Sequence, residues 1–513
     1  MRLSVAMSAS IDIELRSHLD RPDGQEDICL ATYSVSTGRQ RASRCLTQAA
    51  LPGDGERRVH GNATMTGDYV LRVAAEAAAR NEGLAILHSH PGGRGWQNLS
   101  GPDHSAESSY AHLVERITGR PLVGLTYAGN DRGWSAREWQ SRTPTWHESV
   151  RVAGPSLRVT WNDAQRRPPK PTDEQVRTLS AWGDRQQRDI ARLHVLVVGA
   201  GSVGLDVATR LAATGIQHVG VMDYDVVKPH NRDRMIGASR RDARLRLPKV
   251  EVAKRLMTIA ATAAEPDITA HDLSICSPDG LAVALDYDII FSCVDRPWPR
   301  AVLNGIGYSD LIPVIDGGIN IDPLPDGGMR GASWRIQIAT PGLPCLACSG
   351  QIRMPSVVLD RQGLLDDEEY IKQAGLQQPA GQNVAALSAS VSAGQLAQFV
   401  SLVATPGGRG AGRPLRYLLA AHHQEHLDVT SQPGCYFERC PGEGERRIPL
   451  VQEDGPWVAA QASRRDHRGL LARLHRMRPF QRLLTTTAET GASHAGCRTS
   501  WLRWAARDTH EET

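Results

Sequence analysis

The chain has 513 residues, 41% of them hydrophobic, with 59 Lys and Arg against 56 Asp and Glu and a formal net charge of +3. That length predicts about three domains, and the near balance of charge argues against nucleic acid or a membrane surface as a partner. No stretch approaches the roughly 18–20 apolar residues of a membrane-crossing helix. The start, Met1-Arg2-Leu3-Ser4-Val5-Ala6-Met7, turns polar too early for a secretory signal. Nine Cys is an odd number for a disulfide framework, and four of them form two close pairs. This predicts metal ligation in a reducing, cytoplasmic setting.

Residues 1–150 alternate strand-like and helix-like runs. The segment 151–175, with Arg166-Arg167-Pro168-Pro169-Lys170-Pro171, reads as a Pro-rich charged linker. A helix-like run over Thr178–Leu193 opens a further domain that extends to 445, and 446–513 reads as an Arg-rich tail.

In the first region, Arg21-Pro22-Asp23-Gly24 has turn chemistry and leads into a strand-like run, Gln25–Tyr33, with Glu26 at its mouth. An alanine-rich helix, Tyr69–Arg80, precedes the apolar run Leu84-Ala85-Ile86-Leu87. That run ends in His88-Ser89-His90-Pro91, and Ser100-Gly101-Pro102-Asp103 follows before a helical stretch over Ala106–Val114. Two His one residue apart at a strand end point to the same side. A downstream Asp completes three ligands and leaves the fourth position to water, the catalytic form of a zinc site. Taken alone, His-x-His reads as two surface His beside a turn, and Ser100 as a helix N-cap.

Together these residues resemble the JAMM metalloprotease motif, His-x-His followed by Ser-x-x-Asp, of the JAMM/MPN (Mov34/PAD-like) family. Twelve residues separate His90 from Asp103, against ten in the family pattern, and the Gly-rich stretch Gly92-Gly93-Arg94-Gly95 takes up the difference. The resemblance implies a cytidine-deaminase-like α/β domain and a catalytic zinc on His88, His90 and Asp103. It implies Glu26 as general base, Ser100 as donor to the oxyanion, and cleavage of ubiquitin-like proteins from their targets. Glu76, on a solvated helix face, and Glu82, in the turn before the His-bearing strand, are the competing bases.

Further on, His194-Val195-Leu196-Val197-Val198 reads as a buried parallel strand. It runs into Gly199-Ala200-Gly201-Ser202-Val203-Gly204, an apolar helix over Val207–Thr214, and a second strand, His218–Met222, that ends at Asp223. This is the βαβ phosphate-binding fingerprint, with glycines for close approach, a helix N-terminus for the anion, and an acid for a ribose. Alone it fits a nicotinamide or flavin enzyme as readily as one that uses ATP. The ordered set Asp223-Tyr224-Asp225, Asn231-Arg232-Asp233-Arg234, Pro248-Lys249 and Phe291-Ser292-Cys293-Val294-Asp295 resembles the ThiF/MoeB/HesA-type adenylating domain of ubiquitin-activating enzymes and their bacterial relatives. That resemblance implies a Rossmann-like, mostly parallel sheet that binds ATP through Gly199, Gly201, Gly204, Asp223, Asn231, Arg234 and Lys249, with Mg²⁺ on Asp295. Arg232 and Met235 replace the Leu or Phe and the Gln usual in the family. Arg185 and Arg188, flanking Gln186 and Gln187 on a polar surface, are left out of the site.

Cys345-x-x-Cys348 and Cys435-x₄-Cys440 predict a closed four-thiolate zinc site, which the resemblance supports; a redox role is the alternative for the first pair. Cys29, Cys45, Cys276 and Cys293 lie on or near apolar strands and read as packing residues. Residues 349–434 contain no Cys, so a thioester on this chain is not expected, and Cys497 in the tail is the one spare thiol. Asp360–Gly375 and Gln377–Asn383 read as a mobile crossing segment.

The two resemblances together imply one chain that activates a ubiquitin-like C-terminus and cuts behind such a C-terminus. The expected partner is a ubiquitin-like or sulfur-carrier protein, with a separate conjugating enzyme downstream and a homodimer through the adenylating domain. Activation and trimming of a sulfur carrier is the alternative.

Overall fold

The computed structural model describes residues 1–464, apart from 61, 141–142, 367–370, 373–381 and 440. Cys440, Cys497 and the tail beyond 464 therefore lie outside the described residues. The chain forms two compact units, Met1–Gly455 and Pro456–Thr513; of the second, 456–464 is described and is helical.

The first unit contains two large sheets. One is built from β1 (Arg2–Ser8), β2 (Ile28–Thr37), β3 (Arg41–Ala50), β6 (Gly83–His90), β7 (Leu122–Ala128), β8 (Gly133–Trp139), β9 (Pro144–Trp146), β10 (Ser149–Ala153) and β11 (Arg158–Trp161), with β4 (Arg57–His60) and β5 (Asn62–Met65) as a separate hairpin. Its order is β11-β10-β1-β3-β2-β6-β7-β8-β9. The linker expected over 151–175 thus starts too early: β10 pairs with β1 and β11 pairs with β10. The strands win because Val150, Val152, Leu157 and Trp161 are buried.

In β6 the side-chain period of two is visible in the packing. Ala85 and Leu87 enter the core with Val5, Met7 and Leu15. Leu84 and Ile86 face the other way, with Tyr69, Val70 and Val73 of the helix Gly67–Ala79 and Val114 of the helix Gly101–Thr118. His88 and His90 continue the Leu84/Ile86 series and so point to the side that carries those helices.

The second sheet comprises β12 (His194–Val198), β13 (His218–Met222), β14 (Asp267–His271), β15 (Ile289–Ser292), β16 (Val314–Pro323), β17 (Met329–Ala339), β18 (Leu415–Leu418) and β19 (His423–His426), in the order β14-β13-β12-β15-β16-β17-β18-β19. The first five strands of that order are parallel and the rest antiparallel, so this is a mostly parallel, Rossmann-like half with an antiparallel flank. The helix expected over Thr178–Leu193 is two helices, Val176–Trp182 and Asp184–Ala191, broken at Gly183 with φ +84°. Gln187 is buried and bonds Trp182 Nε1 and the Thr214 carbonyl, whereas Arg185 and Arg188 are exposed on the polar surface expected.

One helix, Ala385–Ala404, corrects the reading of hydropathy: at 20 residues and a mean hydropathy of 1.3 it is long and apolar enough to cross a membrane. In the structure its Phe399 and Leu402 join the core of the second sheet, and Gln395 bonds the Ser292 and Ile315 carbonyls.

The sheets meet at a buried charge. Asp288, just before β15, accepts from Arg41 of β3 at 2.5 Å and from Arg151 of β10 at 3.0 Å. Its other oxygen accepts the His194 amide at 3.0 Å, at the first residue of β12. Burial opposes the charge of Asp288, but Arg41, Arg151 and Arg166 outweigh it and hold the carboxyl well below the usual range. A folded-state value lowered in this way adds stability above the unfolded value of about 4 and loses it as pH falls further. Asp288→Asn should therefore cost about 3–5 kcal/mol at neutral pH, because two arginines lose their partner. Denaturant unfolding from pH 7 to 3 should show the wild type losing stability below about pH 4, with the variant losing less.

Candidate functional site

The helix Gly101–Thr118 begins with a capping box. Ser100 Oγ accepts the Asp103 amide and the Ser100 amide donates to Asp103 Oδ2. Ser100 Oγ also donates to Asp103 Oδ2 at 2.6 Å. The cap fixes Asp103 at the third position of the helix, on the side of the sheet that His88 and His90 face. Asp103 Oδ2 lies 3.6 Å from His88 Nε2 and 3.8 Å from His90 Nε2. One ligand atom from each of the three residues fits within 4.8 Å of the others. Tetrahedral zinc with bonds of about 2.1 Å needs ligand atoms about 3.4 Å apart, so both distances to Asp103 lie within a few tenths of an ångström of what the ion needs.

The protonation states suit ligation. Burial, with Arg137 beside it, pushes His88 down to about 3, so its ring is neutral. Burial pushes Asp103 up, but bonds from His90 and Ser100 more than reverse this. His90 is raised by its bond to Asp103, against burial; a metal would displace that proton. Glu26 is half-buried, and burial lifts its carboxyl above the ordinary value while His90 holds it back and Asp103 adds to the rise. The side chain thus faces the triad without belonging to it. Glu76 is exposed and pairs with Arg72, and Glu82 is buried against Arg80 and Arg446; neither is engaged with the triad.

Two neighbours escaped the sequence reading. Gln97 Oε1 is 3.2 Å from His90 Nδ1, and its amide donates to the Arg94 carbonyl. It lies inside the loop that is two residues longer than the family pattern, a position where no motif applies. Thr126 of β7 reaches His88 Nε2 at 3.3 Å; only the pairing of β6 with β7 could have revealed it.

In the second sheet, β12 delivers the glycine loop to the start of the helix Ser202–Ala213, whose first turn has no side-chain cap. Gly199 has φ +95°, and a Cβ there would meet the Cys293 carbonyl at 2.5 Å; at Gly204 it would meet the Gly199 carbonyl at 1.8 Å. Gly201 has open space, which leaves its backbone approachable. Asp223, expected at the ribose, braces the loop: its oxygens accept the Ala200 and Asp225 amides, each at 2.7 Å. Burial raises its carboxyl, and Lys249 counters. Lys249 starts the helix Lys249–Ala260 and reaches Asp225 at 2.8 Å and Asp223 at 3.9 Å. Exposed Asp295 is among the charges that sustain Lys249. Asn231 is buried and accepts the Lys228 amide, while Arg234 bonds the His230 carbonyl and Asp233, so both are held locally. Asn383, at the end of the segment expected to cross the site, bonds Ser202 at the helix start. Asp360, expected to be mobile, is instead buried in the helix Met354–Arg361 and paired with Arg296.

Cys345, Cys348 and Cys435 come together as expected, and Glu438 stands with them. Burial raises the Cys345 and Cys348 thiols, the latter to about 11. Cys29, Cys45 and Cys276 are buried and Cys293 partly so, in line with packing roles.

Residues 172–419 match the ThiF family, and this part of the chain is a ThiF family domain. An adenylyltransferase and sulfurtransferase MOCS3 of Culex quinquefasciatus is 31% identical over 139 residues, 27% of this chain and 31% of that protein. The Xenopus laevis protein of the same name is 33% identical over 127 residues, 25% of this chain and 27% of its own length. The chain thus spans about a third or less of the curated relatives it matches. Among solved structures, E. coli MccB with ATP is 17% identical with a TM-score of 0.40, over 52% of this chain and 74% of that one. E. coli tRNA N6-threonylcarbamoyladenosine dehydratase, TcdA, is 28% identical with a TM-score of 0.26, over 32% and 68%.

Gln97→Ala should weaken zinc binding at the His88/His90/Asp103 site about 10- to 100-fold, the usual cost of removing a group that orients a His ligand. Competition with a chromophoric chelator measures it. Unchanged affinity would show that the ring needs no such support.

Proposed function

We propose that the chain is a two-site enzyme of a ubiquitin-like pathway: it adenylates the C-terminus of a small protein with ATP and hydrolyses the bond behind such a C-terminus. The observation that carries this is the pairing, within one compact unit, of a three-ligand cluster faced by a carboxylate with a ThiF family domain.

At the first site, His88, His90 and Asp103 would hold a catalytic zinc, which supplies a water of lowered pKa and polarises the scissile carbonyl. Glu26, its carboxyl raised by burial, takes the proton from the attacking water and returns it to the leaving amine. Ser100 Oγ, exposed at the helix start, turns from Asp103 to donate to the oxyanion. At the second site the uncapped helix start after Gly201 receives phosphate, and Lys249 leaves Asp225 to neutralise it. Asp295 would hold Mg²⁺. The carrier carboxylate then attacks the α-phosphate in line, the α–β phosphoanhydride bond breaks and pyrophosphate leaves, a reaction governed by positioning and charge neutralisation.

The adenylate passes to the cysteine of a separate conjugating enzyme, since residues 349–434 hold no thiol. A sulfur donor as the acceptor is the second reading, favoured by the names of the matched relatives. The clustered free thiols fit a reducing, cytoplasmic compartment.

Glu26→Gln should keep its zinc and lose cleavage of a linear carrier fusion by at least about two orders of magnitude, with ATP–pyrophosphate exchange unchanged. Cleavage at the wild-type rate would move the base elsewhere.

Asp295→Ala should abolish carrier-dependent pyrophosphate exchange while leaving fusion cleavage intact. Exchange that persists, or tight binding of a nicotinamide cofactor in its place, would sink the adenylating half of this reading. Mass spectrometry of the carrier after incubation with a sulfur donor or a conjugating enzyme separates the two fates.

A further inference from the structure

Between β13 and the helix Lys249–Ala260 the chain makes a closed excursion. The Val227 amide donates to the Leu247 carbonyl at 2.8 Å, Val226 pairs with Pro248, and the Lys249 amide donates to the Asp225 carbonyl at 2.9 Å. Val227, Met235 and Ala243 anchor the loop in the core of the second sheet. Its turn Pro229–Asn231 packs on its own short helix, Arg240–Arg244. A loop tied at its ends and filled by its own side chains holds its outer surface in a fixed shape.

That outer surface is basic. Residues 227–248 contain six Arg and one Lys against two acids, a formal net charge of +5, where the whole chain has +3. Both acids are already engaged: Asp233 pairs with Arg234, and buried Asp242 holds Arg255 and the Ser239 amide. Exposed Arg232, Arg240, Arg244 and Arg246 have no ion-pair partner among the described residues. Arg246 stands at φ +50°, just past the helix Arg240–Arg244, at the left-handed position that favours glycine. A guanidinium is thus kept there against the preference of the backbone. Lys249 follows three residues later, and three residues reach at most about 11 Å, so the basic face borders the nucleotide site.

The composition of the loop selects among anions. Arginine forks match carboxylates through paired hydrogen bonds. Ile236, 74% exposed, stands among them, and arginine around an apolar side chain is the make-up of a protein interface. Residues 227–248 hold no aromatic side chain on which a nucleic-acid base could stack.

We infer that the loop 227–248 is a docking surface for an acidic segment of the protein whose C-terminus enters the neighbouring site, held by Arg232, Arg240, Arg244 and Arg246. The identity of the partner rests on the adenylating half of the proposed function; the chemistry of the contact rests on the loop.

Fluorescence anisotropy of the full chain tests it, with Mg²⁺ and a non-hydrolysable ATP analogue saturating the phosphate site. The probe is a fluorescein-labelled peptide, a run of glutamates ending in Gly-Gly, beside the same peptide with glutamines. At about 50 mM salt the Glu peptide should bind at least about tenfold more tightly than the Gln peptide, and about 0.5 M salt should remove the difference. Arg240→Glu/Arg244→Glu/Arg246→Glu should remove it too, whereas Arg240→Lys/Arg244→Lys/Arg246→Lys should keep it within about threefold. Equal binding of the two peptides, or a preference that survives in the Glu variant, overturns the inference. So does single-stranded RNA bound more tightly than the Glu peptide through the same arginines, which gives the surface to nucleic acid. Should the Glu variant fail to fold, Arg240→Gln/Arg244→Gln decides: a loss of at least about threefold is expected, and unchanged affinity overturns the inference. Pyrophosphate exchange is read apart from binding. Its absence in the wild type sinks the adenylating reading, while the peptides still decide the surface.

Discussion

The buried charge of Asp288 is the constraint on which the arrangement of this molecule depends. A carboxylate shut away from water needs compensation, and here it comes from the other sheet, as Arg41 and Arg151. The same carboxylate caps the first amide of β12, the strand that ends in the glycine loop, and it precedes β15, the strand that leads to Asp295. The joint therefore sets both the docking of the two halves and the starting point of the strands that build the nucleotide site. Neighbouring contacts repeat the pattern: the Gln40 and Arg41 amides donate to Asp286, and a Cβ on Gly38 would meet Asp286 at 2.2 Å. A close backbone approach of this kind leaves no room for a side chain and locks the turn between β2 and β3 against the second half.

At the His88/His90/Asp103 cluster, local folding and the placing of ligand atoms use the same groups. The helix Gly101–Thr118 needs an N-cap, and Ser100 supplies it; the reciprocal bond places Asp103 where the His pair can reach it. Ser100 and Asp103 are thus kept in register by helix physics before any ligand arrives. The longer loop from His90 to Asp103 is stitched by Gln97 to Ser135 and by Gly95 to Asp131, so the insertion adds contacts to the site instead of loosening it.

Much of this was legible in the sequence because periodicity and turn chemistry speak directly about strand ends. The His pair, the capped helix and the glycine loop each carry a local signal that tertiary packing had no reason to override. Long-range consequences were not legible. Nothing in Val150–Val152 or Arg158–Trp161 distinguishes a strand from a linker until β1 offers β10 a partner and β10 offers one to β11. Gly183 inside a helical pattern became a break, and Gln187, polar by type, was drawn inward by Trp182 and the Thr214 carbonyl.

The topology also bears on how one carrier tail could meet both sites. The joint lies at the end of β2, whereas the His88/His90/Asp103 cluster lies at its beginning, where Ile28 pairs with His88. Nine residue steps along β2 span about 30 Å, and the five from His194 to Gly199 span about 17 Å. Each site thus lies at the strand end away from the joint. Under the proposed function, adenylation and cleavage are chemistry at two separate places on the chain, each positioned by its own strand.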